Sequence, residues 1–468
     1  MRKSLILTVL LLVFAAGSLG YAHSAVDQSK AAVVIDETVL HGDKAAAEGI
    51  MVDLSIHCDY RLFWNTRYTI GEPLQISTEF TFSPTQNRPE VTRTSFYFWL
   101  DNFFGGGYGI SGTVNVAAEV KPIQDVASRT QPGEEHTEIV HLRDYYEFYP
   151  LRGELERRKE SGNTKASRVY RYDTEDALRL INDYFKIPVD PRHKLEISIE
   201  KDAAGTVRHV RVLPVRDSRA RIVTESAMTD KHCFFTISPY GVDGELLDTS
   251  HIPGGYGIYR MPLPGEGAGG PTLDADELQT VFPLDAERAR VVGLQTSADE
   301  SKLLLVTIEE GSYMLTVIDA QSMEQLQQLE MLNVGKNISP DNTEFRRLCV
   351  YDEFIVAIRS DGRFALLALD AQGNYEVRLT GDLSEQEELG YVFSYELQMD
   401  YDGEKLVMAA FQDGWYQPRN YCSFYLAVYD DGGLAYAGHY QHNLDKSWMN
   451  NHTLNCRPAV PLAVTWGD

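Results

Sequence analysis

Apolar and polar positions fall into short, punctuated runs along this chain, and between residues 290 and 441 the runs keep a regular beat. Three segments align: T-S-A-D-E-S-K-L-L-L-V (296–306), C-V-Y-D-E-F-I-V-A-I (349–358) and M-D-Y-D-G-E-K-L-V-M-A-A (399–410). Each carries a turn acid, Asp299, Asp352 or Asp402, and then an apolar strand, at intervals of 53 and 50 residues. A second pattern keeps the same time. Y-M-L-T-V-I-D-A-Q-S (313–322) recurs as F-A-L-L-A-L-D-A-Q-G (364–373) and F-Y-L-A-V-Y-D-D-G-G (424–433), each a strand that ends at a polar turn. Further strands follow at 324–329, 375–379 and 434–440, and one precedes each turn acid at 290–295, 345–350 and 391–399.

Each unit therefore reads as four antiparallel strands. Repeated every 40 to 50 residues or so, that pattern is the signature of a propeller blade, which buries its faces only by stacking on its neighbours. The turn pattern S/D-x-D-x-x-K-L resembles that of TolB-like and WD40-like propellers over about residues 290–441. The resemblance is generic and implies a fold, not an activity. The Trp-Asp dipeptide of WD40 repeats and the S-x-D-x-G-x-x-W box of sialidases are both missing.

Upstream the beat is fainter. G-G-Y-G-I occurs at 106–110 and again at 254–258, an interval of 148 residues or about three blades. Strands are predicted at 94–100, 233–238, 194–200 and 206–212, the last two as a hairpin around Ala204-Gly205 with clean alternation in L-E-I-S-I-E. One helix interrupts at 173–186, with Ala177, Leu178, Ile181, Tyr184 and Phe185 on one face and Pro188 as its stop. The charged stretch 151–167 reads as a loop insertion. The expected fold is all-β and propeller-like over 50–468, with about seven four-stranded blades (six to eight). Blades are placed at 75–142, 168–214, 220–284, 290–330, 345–380 and 391–441, and the terminal strand near 458–466 joins the strands of 51–70. The alternative is an N-terminal β domain to about 215 followed by a smaller propeller.

Composition narrows the setting. With 43% hydrophobic and 11% aromatic residues, the 468-residue chain can bury a large core and is not globally disordered. A net charge of −25 repels phosphate backbones and anionic headgroups, so nucleic acid is excluded as a partner, and a membrane is expected only at the N-terminus. There Met1, Arg2 and Lys3 precede the apolar run 5–16, then Gly17, Ser18 and Gly20, the charged-then-apolar design of a secretory signal. Ala22-His23-Ser24 offers small residues for cleavage, whereas an apolar stretch reaching Ala22 could equally remain as an anchor, so 1–25 is a signal peptide or a membrane anchor and 26–49 a linker. The one basic excess, 17 Lys and Arg against 12 Asp and Glu over 152–221, reads as a solvated surface.

Specific chemistry is sparse. The five cysteines, Cys58, Cys233, Cys349, Cys422 and Cys456, contain no C-x-x-C; Cys422 with Cys456 is the pair to test for a disulfide, and free buried thiols are the other state. His439 and His442 lie three apart on a strand and so face opposite ways, and Asp400-x-Asp402-Gly403 lacks the rest of a calcium loop; no metal and no cofactor is expected. Neither G-x-S-x-G nor a phosphate loop is present, and the sequons at 337–339 and 451–453 matter only in a glycosylating host. What stands out is a set of aromatics on the long loops that would emerge on one face of a blade array: Phe103 and Phe104, Tyr240 and Tyr256, and Trp415, Tyr416 and Tyr421. Exposed, such rings suit a sugar or a protein surface; folded back, they pack on the blades. The sequence thus points to an exported, monomeric, non-enzymatic binder of an envelope protein or glycan, with catalytic residues unassigned. The alternative is a glycan hydrolase using carboxylates at a central channel.

Overall fold

The structure is a computed structural model that describes residues 2–31, 35–58, 61–84, 91–100, 110–111, 120–161, 164–172, 175–215, 218, 220–263, 276–333, 345–392, 397–411, 423–442, 456–458 and 463–467. The chain divides into two compact units. A terminal unit comprises Met1–Pro89, Asp361–Arg363 and Leu379–Asp468, and a middle unit Glu90–Ser360 and Phe364–Arg378.

In the middle unit the strands Arg290–Thr296, Lys302–Glu309, Ser312–Asp319 and Gln325–Asn333 form a four-stranded antiparallel sheet in sequence order. Its second strand shows why the sequence reads as an unbroken apolar run. Side chains alternate across a strand, so Leu303 and Leu305 enter one hydrophobic cluster with Phe234 and Ile258, while Leu304 and Val306 enter another with Ile355 and Leu367. Both faces are buried, and all four residues are fully shielded. The neighbouring sheets have the same order: Ser226–Met228, His232–Thr236, Gly257–Pro262 and Gln279–Pro283 on one side, and Phe345–Val350, Phe354–Arg359, Arg363–Leu369 and Tyr375–Asp382 on the other. Three meanders thus stack face on face, each supplying a wall that the next cannot make alone.

The aspartates that keep the beat are turn builders. Asp319, Asp370 and Asp430 each accept the backbone N–H two residues on, from Gln321, Gln372 and Gly432, at 3.0, 2.8 and 2.8 Å. Carboxylates at such positions close an Asx turn. Gly373 and Gly433 then supply the left-handed backbone, with φ of 80° and 104°, that carries the chain into the next strand. Asp299 and Asp402 do the same work at the other turn, accepting from Ser301 N and Glu404 N. At Asp352 the turn is closed by backbone alone, Tyr351 N to Phe354 O at 2.9 Å.

Upstream of residue 220 the structure corrects the expected blades at 75–142 and 168–214. Gln75–Phe82 pairs with Leu62–Thr69, and Glu135–His141 joins Lys194–Lys201 and Val207–Pro214, with Ile110–Ser111 at the far edge. The stretch expected as a loop at 151–167 is a long hairpin, Leu151–Ser161 with Thr164–Tyr172, beside Val91–Leu100. Leu151, Gly153 and Leu155 are buried at every second position, and the charged residues between them hide that period. Among the described residues this region holds two helices where one was expected. Glu175–Phe185 buries Ala177, Ile181 and Phe185, and Lys121–Arg129 buries Pro122, Ile123 and Val126. All but Pro122 share one cluster with Ile197, Ile199 and Val210, a helix-on-sheet core unlike the stacked meanders.

Among its described residues the terminal unit holds two sheets. One is Leu397–Tyr401, Leu406–Phe411, Ser423–Asp430 and Gly433–His442, extended by Ile35–Gly42 as a fifth strand against Gly433–His442. That addition covers the open ladder of the last repeat strand. The other is Met51–Cys58, Leu62–Thr69 and Gln75–Phe82, with Cys456–Pro458 and Ala463–Thr465 both pairing onto Met51–Cys58, so the expected meeting of the terminal strand with the 51–70 strands is found. Val52, Leu54 and Tyr68 of this sheet pack with Val407, Phe424 and Leu426 of the other. Ahead of both runs the helix Arg2–Ala31, in which Ile6–Ala25 is apolar and exposed throughout.

Candidate functional site

Of the seven aromatic candidates, Phe103, Phe104, Trp415, Tyr416 and Tyr421 lie outside the described residues, as do Cys422 and both sequons. Tyr240 and Tyr256 belong to the core instead of a binding face, at 5% and 3% exposure. Tyr240 ends the strand Ser238–Tyr240 with the Arg290 guanidinium 5.0 Å above its ring, and the Tyr256 hydroxyl bonds Ser238 Oγ at 2.8 Å. Burial pushes the Tyr256 hydroxyl far above its ordinary pKa, so it stays neutral. These two rings are folded back on the sheets, the second of the two outcomes open to them.

Other reactive groups have structural explanations. His439 stacks on Tyr425 at 4.2 Å between centroids, and burial lowers its pKa, which keeps it uncharged. Asp190, at 2% exposure, accepts from Arg192 N, Nε and Nη2 and from Val242 N; burial pulls its pKa up, but the bonds from Arg192 and Val242 outweigh that and hold it below the ordinary value. Glu225 is raised from 4.5 to about 7 by burial alone, with no charged neighbour contributing. Cys233 is fully buried, which raises its thiol well above the ordinary value, and no group of three His, Cys, Asp or Glu able to hold a metal occurs among the described residues.

An open, polar groove of about 560 Å³ lies on the N-terminal sheet. It lies over the outward face of Met51–Cys58, Leu62–Thr69 and Gln75–Phe82, whose inward face carries Val52, Leu54 and Tyr68. Antiparallel register sets its side chains in two rows, Asp53–Arg67–Ser77 and Ser55–Asn65–Glu79. In the first row Arg67 grips Asp53 with two parallel bonds, Nε to Oδ1 at 2.7 Å and Nη2 to Oδ2 at 2.8 Å, and the bonds and charge of Asp53 raise the Arg67 pKa further. In the second, Ser55 Oγ donates to Asn65 Oδ1 at 2.5 Å, which fixes the amide with its NH2 turned to other partners. Glu79 and Ser77 make no side-chain hydrogen bond or ion pair among the described residues. Phe63 stands on the same face one step beyond Asn65. Sequence reasoning missed this row because its members are close only through register; the legible signal was polar residues at odd positions, 53, 55, 65, 67, 77 and 79, opposite an apolar even face.

No family model matches the chain, and no curated protein matches it. Solved structures return distant likenesses. One is a Saccharomyces cerevisiae structure of Dbp5 bound to Nup159 and Gle1 (12% identity, 55% of this chain and 58% of that chain, TM-score 0.24). Others are the Cps50 (Swd1) β-propeller domain of Myceliophteria thermophila (13%, 66% and 86%, TM-score 0.24) and the N-terminal domain of Nup159 (13%, 77% and 70%, TM-score 0.24). The match thus spans little more than half of the first of these chains. Scores of this size carry no argument about what this chain does.

Proposed function

We propose that this chain is an exported or membrane-anchored binding protein, without catalytic activity, that holds a polyhydroxylated ligand such as an envelope glycan in the groove of its N-terminal sheet. The observation that carries the reading is the Asn65–Glu79 pair, a free amide donor directly across the strands from a free carboxylate acceptor. Side chains so paired stand roughly 4.5–5.5 Å apart at Cβ, the span over which two vicinal hydroxyls can accept from one group and donate to the other. Phe63 adds an apolar ring at the edge, as sugar faces require. Asp53 is committed to Arg67, so the groove offers one free carboxylate where glycoside hydrolysis needs two.

Export rests on the apolar segment Ile6–Ala25, 20 residues with a mean hydropathy of 1.8 and with none of them buried. As a helix it is about 30 Å long, the thickness of a bilayer core. In this reading the stacked meanders are blades of a propeller, about seven in all. Phe103, Phe104, Trp415, Tyr416 and Tyr421 are then a second contact surface on its loops.

A printed array of envelope polysaccharides and cell-wall fragments tests the reading. The full chain is expected to bind at least one polyhydroxylated class, and Glu79→Gln and Asn65→Ala each to weaken it about tenfold or more, the effect of losing a hydrogen bond to a charged or fixed group. Equal retention of both variants, or no glycan bound by the unaltered chain, sinks it.

A further inference from the structure

The C-terminal strand Cys456–Pro458 lies antiparallel to Met51–Cys58 in a register of three pairs: Ile56 with Pro458, His57 with Arg457 and Cys58 with Cys456. Two of the five cysteines, almost at opposite ends of the chain, are therefore directly opposed. Directly opposed antiparallel residues have Cα atoms about 4.5 Å or 5.5 Å apart, according to whether the pair is hydrogen-bonded. Both values fall inside the roughly 4.4–6.8 Å that a disulfide spans. The pairing is also weak without help. It is three residues long, and Pro458 has no N–H to give the ladder.

We propose that Cys58 and Cys456 form a disulfide that locks the C-terminal strand to the N-terminal sheet. This inference rests on the export reading for its oxidising surroundings. An exogenous disulfide, from an oxidised thiol–disulfide oxidoreductase or oxidised glutathione, supplies the oxidant. One cysteine thiolate attacks it, giving a mixed disulfide and releasing one thiol. The second thiolate displaces the other half, so the donor leaves as two thiols, and the two protons of Cys58 and Cys456 go to the thiols released. Among the other cysteines, Cys233 and Cys349 are poor competitors, since burial raises both thiols above their ordinary pKa. Cys422, the other candidate partner of Cys456, lies outside the described residues and is left to the test below. The crosslink closes a loop of about 400 residues, the class in which constraint on the unfolded chain is largest.

The test is to incubate the purified full chain in a glutathione redox buffer, alkylate under denaturing conditions, and map peptides without reduction. The expected result is a single crosslinked pair holding Cys58 and Cys456, with Cys233 and Cys349 alkylated. Reduction, or Cys58→Ser with Cys456→Ser, is expected to lower the melting temperature by about 5 °C. Recovery of both cysteines as alkylated thiols, or of Cys456 joined to Cys422, overturns the proposal. Thiols trapped in intact cells separate the two readings. A bond that forms in the purified protein but is absent in cells refutes export and leaves the geometry standing, whereas a bond that forms in neither refutes the pairing itself.

Discussion

The sheet of residues 290–333 and the sheet of residues 51–82 are both antiparallel, with strands of 7 to 9 and of 8 residues, yet only the second leaves an ordered polar face uncovered. In Lys302–Glu309 every position from Leu303 to Thr307 is buried, because a neighbouring meander covers each face. In Met51–Cys58 burial alternates, with Val52 and Leu54 inward and Asp53 and Ser55 outward. A strand covered twice spends all its side chains on stacking. A strand covered once has an ordered row left over, held in register by the sheet, and a binding site can be written on it. The repeat is thus the scaffold, and the place where the repeat stops is where function is to be sought.

The largest expected effect breaks or upholds that contrast directly. Leu304→Ala and Leu305→Ala are neighbours on opposite faces, and each should cost about 2–5 kcal/mol, since each empties a packed cluster. In Met51–Cys58 the neighbours should split: Leu54→Ala costs a similar amount and Ser55→Ala less than about 1 kcal/mol, the worth of one exposed hydrogen bond. Urea midpoints of the four variants decide it. A near-neutral Leu304→Ala or Leu305→Ala would mean that one face of the repeat sheet is not packed.

Two glutamates carry the contrast into electrostatics. Glu79, on the open face, stands in solvent. Glu225, between Arg221–Val223 and Ser226–Met228, is half-buried, and burial raises it to about 7. A carboxyl raised on folding contributes stability that is full below its unfolded pKa near 4.5 and is lost as pH rises through about 7. The penalty at pH 8 is of the order of 2–3 kcal/mol. Glu225→Gln should therefore raise the melting temperature at pH 8 and change little at pH 5. A variant no more stable than the unaltered chain at pH 8 would show that the carboxylate finds compensation there.

How much of this was legible follows from the same division. Two-sided strands advertise themselves as apolar runs between Asx turns, so the beat of Asp319, Asp370 and Asp430 located the four repeat strands of three sheets, the last of which takes Ile35–Gly42 as a fifth. The pairing of the chain's last strands with Met51–Cys58 was also readable, since a sheet at the end of a repeat array needs its edge filled. The hairpin from Leu151 to Tyr172 was not, because Arg152, Glu154 and Glu156 alternate with the buried Leu151, Gly153 and Leu155 and leave no apolar run to read. The helix Lys121–Arg129 escaped because it is barely two turns long and carries a proline in its first. The groove was missed for a deeper reason. Asp53, Asn65, Arg67 and Glu79 have no spacing that marks a motif; they meet only because hairpin registers align them. The two described aromatic candidates failed for the complementary reason: a tyrosine in a loop-like stretch looks exposed in sequence, but Tyr240 and Tyr256 are packed inside at 5% and 3% exposure.

The smallest effect tests whether the turns belong to the scaffold or to a site. Asp299 accepts Ser297 Oγ at 2.6 Å, Ser301 Oγ at 2.7 Å and Ser301 N at 3.1 Å, and the Ser297 and Ser301 bonds hold its carboxyl down to about 2. A carboxyl lowered on folding contributes stability that is present above its ordinary value of 3.8 and is lost as pH falls through about 2. The group is exposed, so solvent screening trims the gain, and Asp299→Ala should cost only about 0.5–1 kcal/mol at pH 7. The two chains should converge in stability as the pH is taken from 4 down to 2. The variant should also bind any glycan that the unaltered chain binds, because its carboxylate is consumed by its own turn. If Asp299→Ala instead lost binding with its melting temperature unchanged, the acidic turns of the repeat would be ligand contacts, and the separation of a stacking scaffold from a one-sided binding sheet would fail at the feature that first revealed the repeat.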